Sequence, residues 1–373
     1  MNAHTPQQKV VVVGAGIVGL ATAFRIAGQG HKVVCIDDGK PGVSSDAALG
    51  YIAPPSITSV PPDVVLFGAQ SYQRFLQFLG DLETVTGVRP YVAANGYIHV
   101  ATTDPQVEEI DTICQSWDTA GLNYTRMSGD AARVREPMLS SHVQAAVILR
   151  DAMNVNPQEL RELLRAALEG LGAEVRTGET VQSLDVIGGT CTGVLVESGR
   201  IDADWVVVSA GSWSNAVLGG LRITNLIPTK GQVVVLRSKG GLVLQYPVST
   251  SDELDIMPRP GGQLLIGTSN EDAGFDTTTT AHILSGILNR ALAVVPGIGE
   301  YEFVRTYSGL RPCTANRRPV IGPHPACPNV IVATGHCQNG VLMAPLTADS
   351  VVDLVHGRSD GAAPIAMMHP ALP

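Results

Sequence analysis

The chain of 373 residues is 45% hydrophobic and 16% charged, which predicts two or three domain-sized units and excludes a disordered tail or a disulfide-stapled miniprotein. Its 40 glycines and 24 prolines are scattered without a collagen-like period, so they punctuate turns. The net charge is −9 with no lysine/arginine cluster able to neutralise a run of phosphates, which excludes nucleic acid as a partner. The opening stretch MNAHTPQQKV leads into an apolar run too short for a signal sequence, and no later run approaches the length of a membrane span. A soluble, cytoplasmic protein is expected. Cys35, Cys114, Cys191, Cys313, Cys327 and Cys337 show neither a CxxC pair nor a metal-like cadence, so six reduced thiols and no metal are expected.

The first element is a β-branched run, Val10 to Val13, followed at once by Gly14-Ala15-Gly16-Ile17-Val18-Gly19 and a helical pattern through Leu20, Phe24 and Ile26. Gly14 lets the chain turn, Gly16 removes the Cβ that would keep backbone off a pyrophosphate, and Gly19 lets helix and strand pack closely. The free amides and dipole of the helix start attract the anion. A second strand, Lys32 to Ile36, ends in Asp37-Asp38, about 20 residues beyond the glycines, where an acid accepts hydrogen bonds from ribose hydroxyls. The whole unit binds ADP, of either NAD or FAD. No second glycine fingerprint follows a strand downstream, so there is one dinucleotide site.

Further along, Gln158 to Leu171 has Leu160, Leu163, Leu164, Leu168 and Leu171 at helical spacing with Gly172 as the cap, and leads into a strand from Glu174 to Arg176. Asp204 to Val208 is a buried strand, after which Ala210-Gly211-Ser212 lets backbone approach a ligand. Tyr91 to Val100, Gln232 to Leu236, Asp255 to Pro258 and Leu264 to Gly267 read as strands between Gly/Pro/Asn turns. Gly335-His336-Cys337-Gln338-Asn339-Gly340 precedes a helix from Val341 to about Val355, with Pro345 as a local kink.

Taken together, VVVGAGIVGLATAFRIAGQGHKVVCIDD, SSDAA, NVNPQELRELLRAALEGLGAEV, DADWVVVSAGSWS, PTKGQ, MPRPGGQLLIGTSNEDAGFD, SGLRPCTANRRPVIG and ATGHCQNGVLMAPLTADSVVDLV occur in an order that resembles the D-amino-acid oxidase superfamily of FAD enzymes. The likeness is strongest to its glycine oxidase and bacterial D-amino-acid dehydrogenase branch. The resemblance implies an α/β fold: a Rossmann-type, glutathione-reductase-like FAD-binding domain interleaved with a mostly antiparallel α+β substrate domain. Residues 1–85, 145–225 and 305–373 are expected to bind FAD, and 86–144 and 226–304 to bind substrate. Beyond the glycine turn and Asp37, Asp38, the implied cofactor contacts are Ser44, Ser45, Ala47, Val181, Ala210, Gly211, Gly335, His336, Gln338, Asn339, Gly340 and Val341. Amides at the start of the last helix would stabilise negative charge on the flavin pyrimidine as it is reduced.

On the substrate side, Arg311 in Gly-Leu-Arg-Pro resembles the arginine that clamps a substrate carboxylate, a task for a planar fork. Two positions depart from the family pattern. Asp255 begins Asp-Ile-Met-Pro-Arg where relatives have a tyrosine, and Gln338 stands where the glycine-oxidase-like loop often has arginine. The pocket is therefore less cationic than a glycine site, which favours a larger or more cationic amine; Asp255 as a plain turn acid is the equal alternative. Arg317 and Arg318 are expected to be solvated.

The activity implied is oxidation of an amine or amino acid: hydride leaves Cα for flavin N5, and water hydrolyses the resulting imine. No dedicated base is required, because orientation and the flavin carry the chemistry. Arg311 and Asp255 are the expected catalytic residues. The expected partners are a small amine or amino-acid substrate and dioxygen or another electron acceptor, a quinone or partner subunit being the dehydrogenase alternative; a homo-oligomer is allowed. Cys313 raises a covalent flavin thioether, but the spacing to Pro319-Val320-Ile321-Gly322 matches the non-covalent branch, so FAD is expected to be held without a covalent bond.

Overall fold

The computed structural model describes residues 6–53, 60–119, 121–223, 225–240 and 243–358; the first five residues of the opening stretch lie outside them. Strand β1 (Lys9–Val13) turns at Gly14 into helix α1 (Ile17–Gly28) and returns through β2 (Lys32–Asp37), parallel to β1. Trp205–Val208 joins the free side of β1 and Cys327–Thr334 follows it, both parallel, with Val320–His324 antiparallel at that edge and Glu174–Thr177 beyond β2. Six strands result. Val10 and Val12 enter the core on one face and Val11 and Val13 the core on the other, so a continuous apolar run replaces strict alternation.

Four helices cover the first face: α1, Pro62–Thr86, Pro157–Gly170 and Gly340–Val355, through residues such as Leu20, Phe78, Leu164 and Leu346. A three-stranded antiparallel sheet, Val181–Ile187, Thr190–Val196 and Gly199–Asp202, packs on the other through Val194 and Val196.

A second sheet of eight strands runs Glu302–Thr314, Leu226–Arg237, Gln263–Gly267, Asp255–Arg259, Val248–Thr250, Tyr97–Ala101, Ala145–Leu149, Tyr124–Ser128. It is antiparallel throughout except between Val248–Thr250 and Tyr97–Ala101. Its strands lie in sequence between those of the first sheet. Helix Ala281–Val294 packs on it through Ile287 and Ala291.

The helix expected over 158–171 lies at Pro157–Gly170, where Asn156 Oδ1 accepts from the Gln158 amide at 3.2 Å and Gly172 takes a left-handed φ of 73°. The single strand expected from Tyr91 to Val100 is instead two, Val92–Ala93 and Tyr97–Ala101, in different sheets. The break falls at Gly96, where φ is 74° and a Cβ would meet the Leu149 carbonyl oxygen at 2.8 Å. The expectation of six reduced thiols is corrected: Cys313 and Cys337 form a disulfide, and the other four cysteines are buried and free. Their 24-residue separation carries no signature, because a strand end and a turn are brought together only by the folded sheets. Among the described residues no helix is long and apolar enough to cross a membrane.

Candidate active site

The three glycines of the first turn serve different ends. A Cβ on Gly14 would lie 2.5 Å from the Ser209 carbonyl oxygen, and one on Gly19 would lie 1.9 Å from that of Gly14, so both are demanded by the packing of the chain itself. At Gly16 the nearest protein atom would be Ser45 Oγ, at 3.4 Å. Packing leaves room there, and the space belongs to a cavity lined by Gly14, Gly16, Ile17, Val18, Asp37 and Asp38 among others. This fits a pyrophosphate on the start of α1, whose first turn carries no acidic residue to repel it.

Asp37 closes the turn. Its Oδ2 accepts from the Ala15 amide at 2.6 Å and its Oδ1 from the Gly39 amide at 2.9 Å, while the carboxylate still borders the cavity with lone pairs left for ribose hydroxyls. The Ala15 carbonyl accepts from Arg161 at 3.1 and 3.3 Å, and Arg161 also pairs with Asp46. Arg161 thus ties the glycine turn to the short helix Ser44–Ala47, from which Ser45 Oγ accepts the Ile17 amide at 3.0 Å. Val181, Ala210, Gly211 and His336 complete the same cavity.

A second cavity adjoins the first, and Ile17, Ser44, Ser45, Cys337 and Gly340 line both. Ala47, Gln338, Asn339 and Val341 face only the second, together with Arg311 and Asp255. Ala15, Gly19 and Gly335 line neither. Gly335 instead supplies a φ of 81° in a corner where a Cβ would press on Thr314 and the Val320 amide at 3.1–3.2 Å. His336 is buried and shares a 3.0 Å hydrogen bond with Thr347 Oγ1; burial holds its pKa down at about 4, so it is neutral and supports the loop.

Arg311 projects from Glu302–Thr314 into space left by Gly231, where a Cβ would lie 2.5 Å from the guanidinium. It donates to Thr268 Oγ1 at 2.6 Å, the Ser269 carbonyl at 3.0 Å and Asn270 Oδ1 at 2.9 Å, all neutral acceptors that fix its plane without cancelling its charge. Desolvation lowers its pKa, opposed by Glu253 and Asp255.

Asp255 opens Asp255–Arg259 in the middle of the eight-stranded sheet, so it is a strand residue facing the cavity, not a turn acid. Desolvation pushes its pKa up to about 7, with Arg311 pulling it down and Glu253 and Asp252 adding to the rise. Glu253, which composition alone did not single out, borders the same cavity, accepts from Gln338 Nε2 at 3.0 Å and from Asn270, and lies 4.0 Å from Arg317. Arg318 pairs with Asp63 at 2.7 Å, so neither arginine is merely solvated. Glu109, Glu253 and Asp255 thus set three carboxyl groups against the single guanidinium of Arg311 in one cavity.

The family description FAD dependent oxidoreductase (DAO) matches residues 9–354. Glycine oxidase of Geobacillus kaustophilus is 30% identical over 94% of this chain and 93% of its own length, and that of Pseudomonas putida is 30% identical over 94% and 95%. The crystal structure of the Geobacillus kaustophilus enzyme superposes with a TM-score of 0.91 at 28% identity, covering 98% of this chain and 100% of that one. Iminodiacetate oxidase from Chelativorans sp. BNC1 superposes with a TM-score of 0.88 at 25% identity over 97% and 98%.

Proposed function

The chain belongs to the DAO family of FAD-dependent oxidoreductases and oxidises an amine C–N bond, and on that premise we propose that its substrate is an amino acid carrying a second cationic group, with dioxygen as electron acceptor. The observation that carries this reading is the composition of the second cavity: one guanidinium hydrogen-bonded to neutral acceptors, with three carboxyl groups in the same lining. The division of labour we propose follows the sheets, the six-stranded sheet presenting the cofactor residues and the eight-stranded sheet those for substrate.

Arg311 holds the substrate carboxylate through parallel hydrogen bonds, its plane already set by Thr268, Ser269 and Asn270. That anchor places the α-ammonium toward Asp255, whose carboxyl Oδ can take the ammonium proton because its pKa of about 7 is suited to proton transfer near neutrality. Glu253 and Glu109 line the same cavity and would face a more distant cationic group of the substrate. FAD, if bound across the two cavities, would supply the acceptor for the hydride of Cα. Gly14, Gly16, Asp37, Ser45, Val181 and Gly340 would hold it. Water then hydrolyses the imine to an oxo acid and ammonia.

Glycine oxidase and iminodiacetate oxidase are named as oxidases, which favours dioxygen over a quinone or a partner subunit. The test is oxygen consumption and ammonia release by the purified yellow protein with glycine, sarcosine, D-alanine, D-lysine and D-arginine. A kcat/KM for the dibasic amino acids at least tenfold above that for glycine is expected. Equal or higher efficiency with glycine refutes the cationic assignment, and turnover only with an artificial acceptor refutes the role of dioxygen.

A further inference from the structure

We propose that the Cys313–Cys337 disulfide is a second redox centre, which takes an electron pair from the reduced flavin and returns it. The inference rests on FAD occupying the two adjoining cavities as described above. A flavin ring that receives hydride from the second cavity while its ADP lies in the first must pass the junction between them, and Cys337 is one of the few residues lining both. Its partner Cys313 lies two residues beyond Arg311 on the same strand, next to Pro312 of the first cavity's wall. The disulfide therefore stands at the place where the ring must sit.

The native geometry at this point does not depend on the disulfide. Between the two cysteines the chain forms a hairpin, Val320–His324 against Cys327–Thr334, whose register already pairs Val320 with Thr334. At its base Thr314 Oγ1 donates to the Arg318 carbonyl at 2.7 Å, and Gly335 packs directly on Thr314. The native ends are thus already held together by hydrogen bonds, so the covalent bond is not needed to set the geometry of the hairpin base. Cys337 moreover takes a left-handed φ of 49°, a conformation that glycine or asparagine adopts at lower cost. A β-carbon kept at such a position, in the wall of a reaction site, points to a use for its sulfur.

The step balances as FADH⁻ plus disulfide plus one proton giving FAD and two thiols. The S–S bond breaks, the flavin loses two electrons and its proton, and one further proton comes from solvent. The amine oxidation supplies the reduced flavin. Return runs by the same route: the dithiol reduces oxidised flavin, which passes the pair to dioxygen, so no further oxidant class is needed.

Anaerobic dithionite titration of the holoenzyme, followed by acid quench, alkylation and thiol counting under denaturing conditions, tests the proposal. The protein has six cysteines, four of them free in this structure. The expected result is uptake of four electrons per FAD, a rise from four to six alkylated thiols, and a long-wavelength thiolate–flavin absorbance midway. Apoprotein under the same dithionite should stay at four thiols, and Cys313→Ser holoenzyme should take up two electrons. Uptake of two electrons by wild-type holoenzyme with four thiols remaining overturns the proposal, as do six thiols before any reductant is added or six in treated apoprotein. These readings are made on yellow protein, so absence of FAD registers separately as failure of the cofactor assignment.

Discussion

Asp255→Asn removes a carboxyl group that folding places in an unfavourable setting. Its pKa rises from 3.8 to about 7, desolvation being the main cause. Each unit is worth about 1.4 kcal/mol, so a rise of about three units makes ionisation cost the native state about 4 kcal/mol relative to the unfolded chain. Because the native pKa is the higher one, the native state binds more protons between pH 3.8 and about 7. The contribution of Asp255 to stability is complete below the unfolded value, falls as pH rises through that window, and is lost above about 7. Asparagine has nearly the same shape and does not titrate. Urea unfolding with a fixed excess of FAD, run from pH 4 to pH 8.5, should show the variant gaining on wild type by about 4 kcal/mol across the range, with the gain ending near pH 7. A pH-independent offset from lost contacts shifts the whole curve and leaves its slope intact. A difference that changes by less than about 1 kcal/mol over this range would refute the buried setting of Asp255. The same group governs catalysis in the proposed mechanism: wild-type kcat/KM should rise about tenfold per pH unit below about 7 and level off above it, and the variant should lack that inflection.

Gly16→Val should yield folded, colourless protein, since its side chain enters the cavity alone, whereas Gly19→Val should fail to fold because its Cβ would overlap the Gly14 carbonyl; circular dichroism and FAD content read the two outcomes, and a yellow Gly16→Val protein contradicts the pyrophosphate placement. Arg311→Lys should lower kcat/KM for amino acids about 10- to 100-fold, as one charge-assisted hydrogen bond of about 1.5–3 kcal/mol disappears, and leave simple amines without a carboxylate nearly unchanged. Acid precipitation should leave a white pellet and a yellow supernatant, because Cys313, the candidate for a flavin thioether, already spends its sulfur on Cys337. Colour retained in the pellet overturns that outcome.

What the sequence revealed follows from how local the causes are. The glycine turn, β1, α1, β2 and the acid at its end form one contiguous unit in which each residue type answers to backbone approach or packing within a few positions, so it reads directly. The eight-stranded sheet reads less well. Gln232–Leu236 was expected and Leu226–Arg237 forms, because the strand is extended by pairing with Glu302–Thr314, a segment distant in sequence, which pattern alone does not show. Tyr91 to Val100 misled for the opposite reason: its composition is continuous, and only the crowding of Gly96 by the Leu149 carbonyl divides it between sheets.

At the site the same distinction separates motif from environment. Arg311 stands out because the Gly-Leu-Arg-Pro run surrounds it, yet the glycine that makes room for its guanidinium, Gly231, lies across the sheet on another strand. Glu253 had no local signal. It matters because Gln338, in a loop 85 residues away, donates to it, and because Asp255 two residues on faces the same cavity from a central strand. An aspartate at a surface turn would ionise without cost. Here it sits beside Arg311 in a desolvated wall, so an acid that ordinarily ionises well below neutrality titrates where the enzyme works. Gln338 brings a neutral donor, not a charge, to Glu253, which Arg317 approaches at 4.0 Å from outside the cavity lining. On the proposed reading, Arg311 clamps the carboxylate while Asp255, Glu253 and Glu109 in the same lining favour a substrate with a second cation, and the substrate panel decides it.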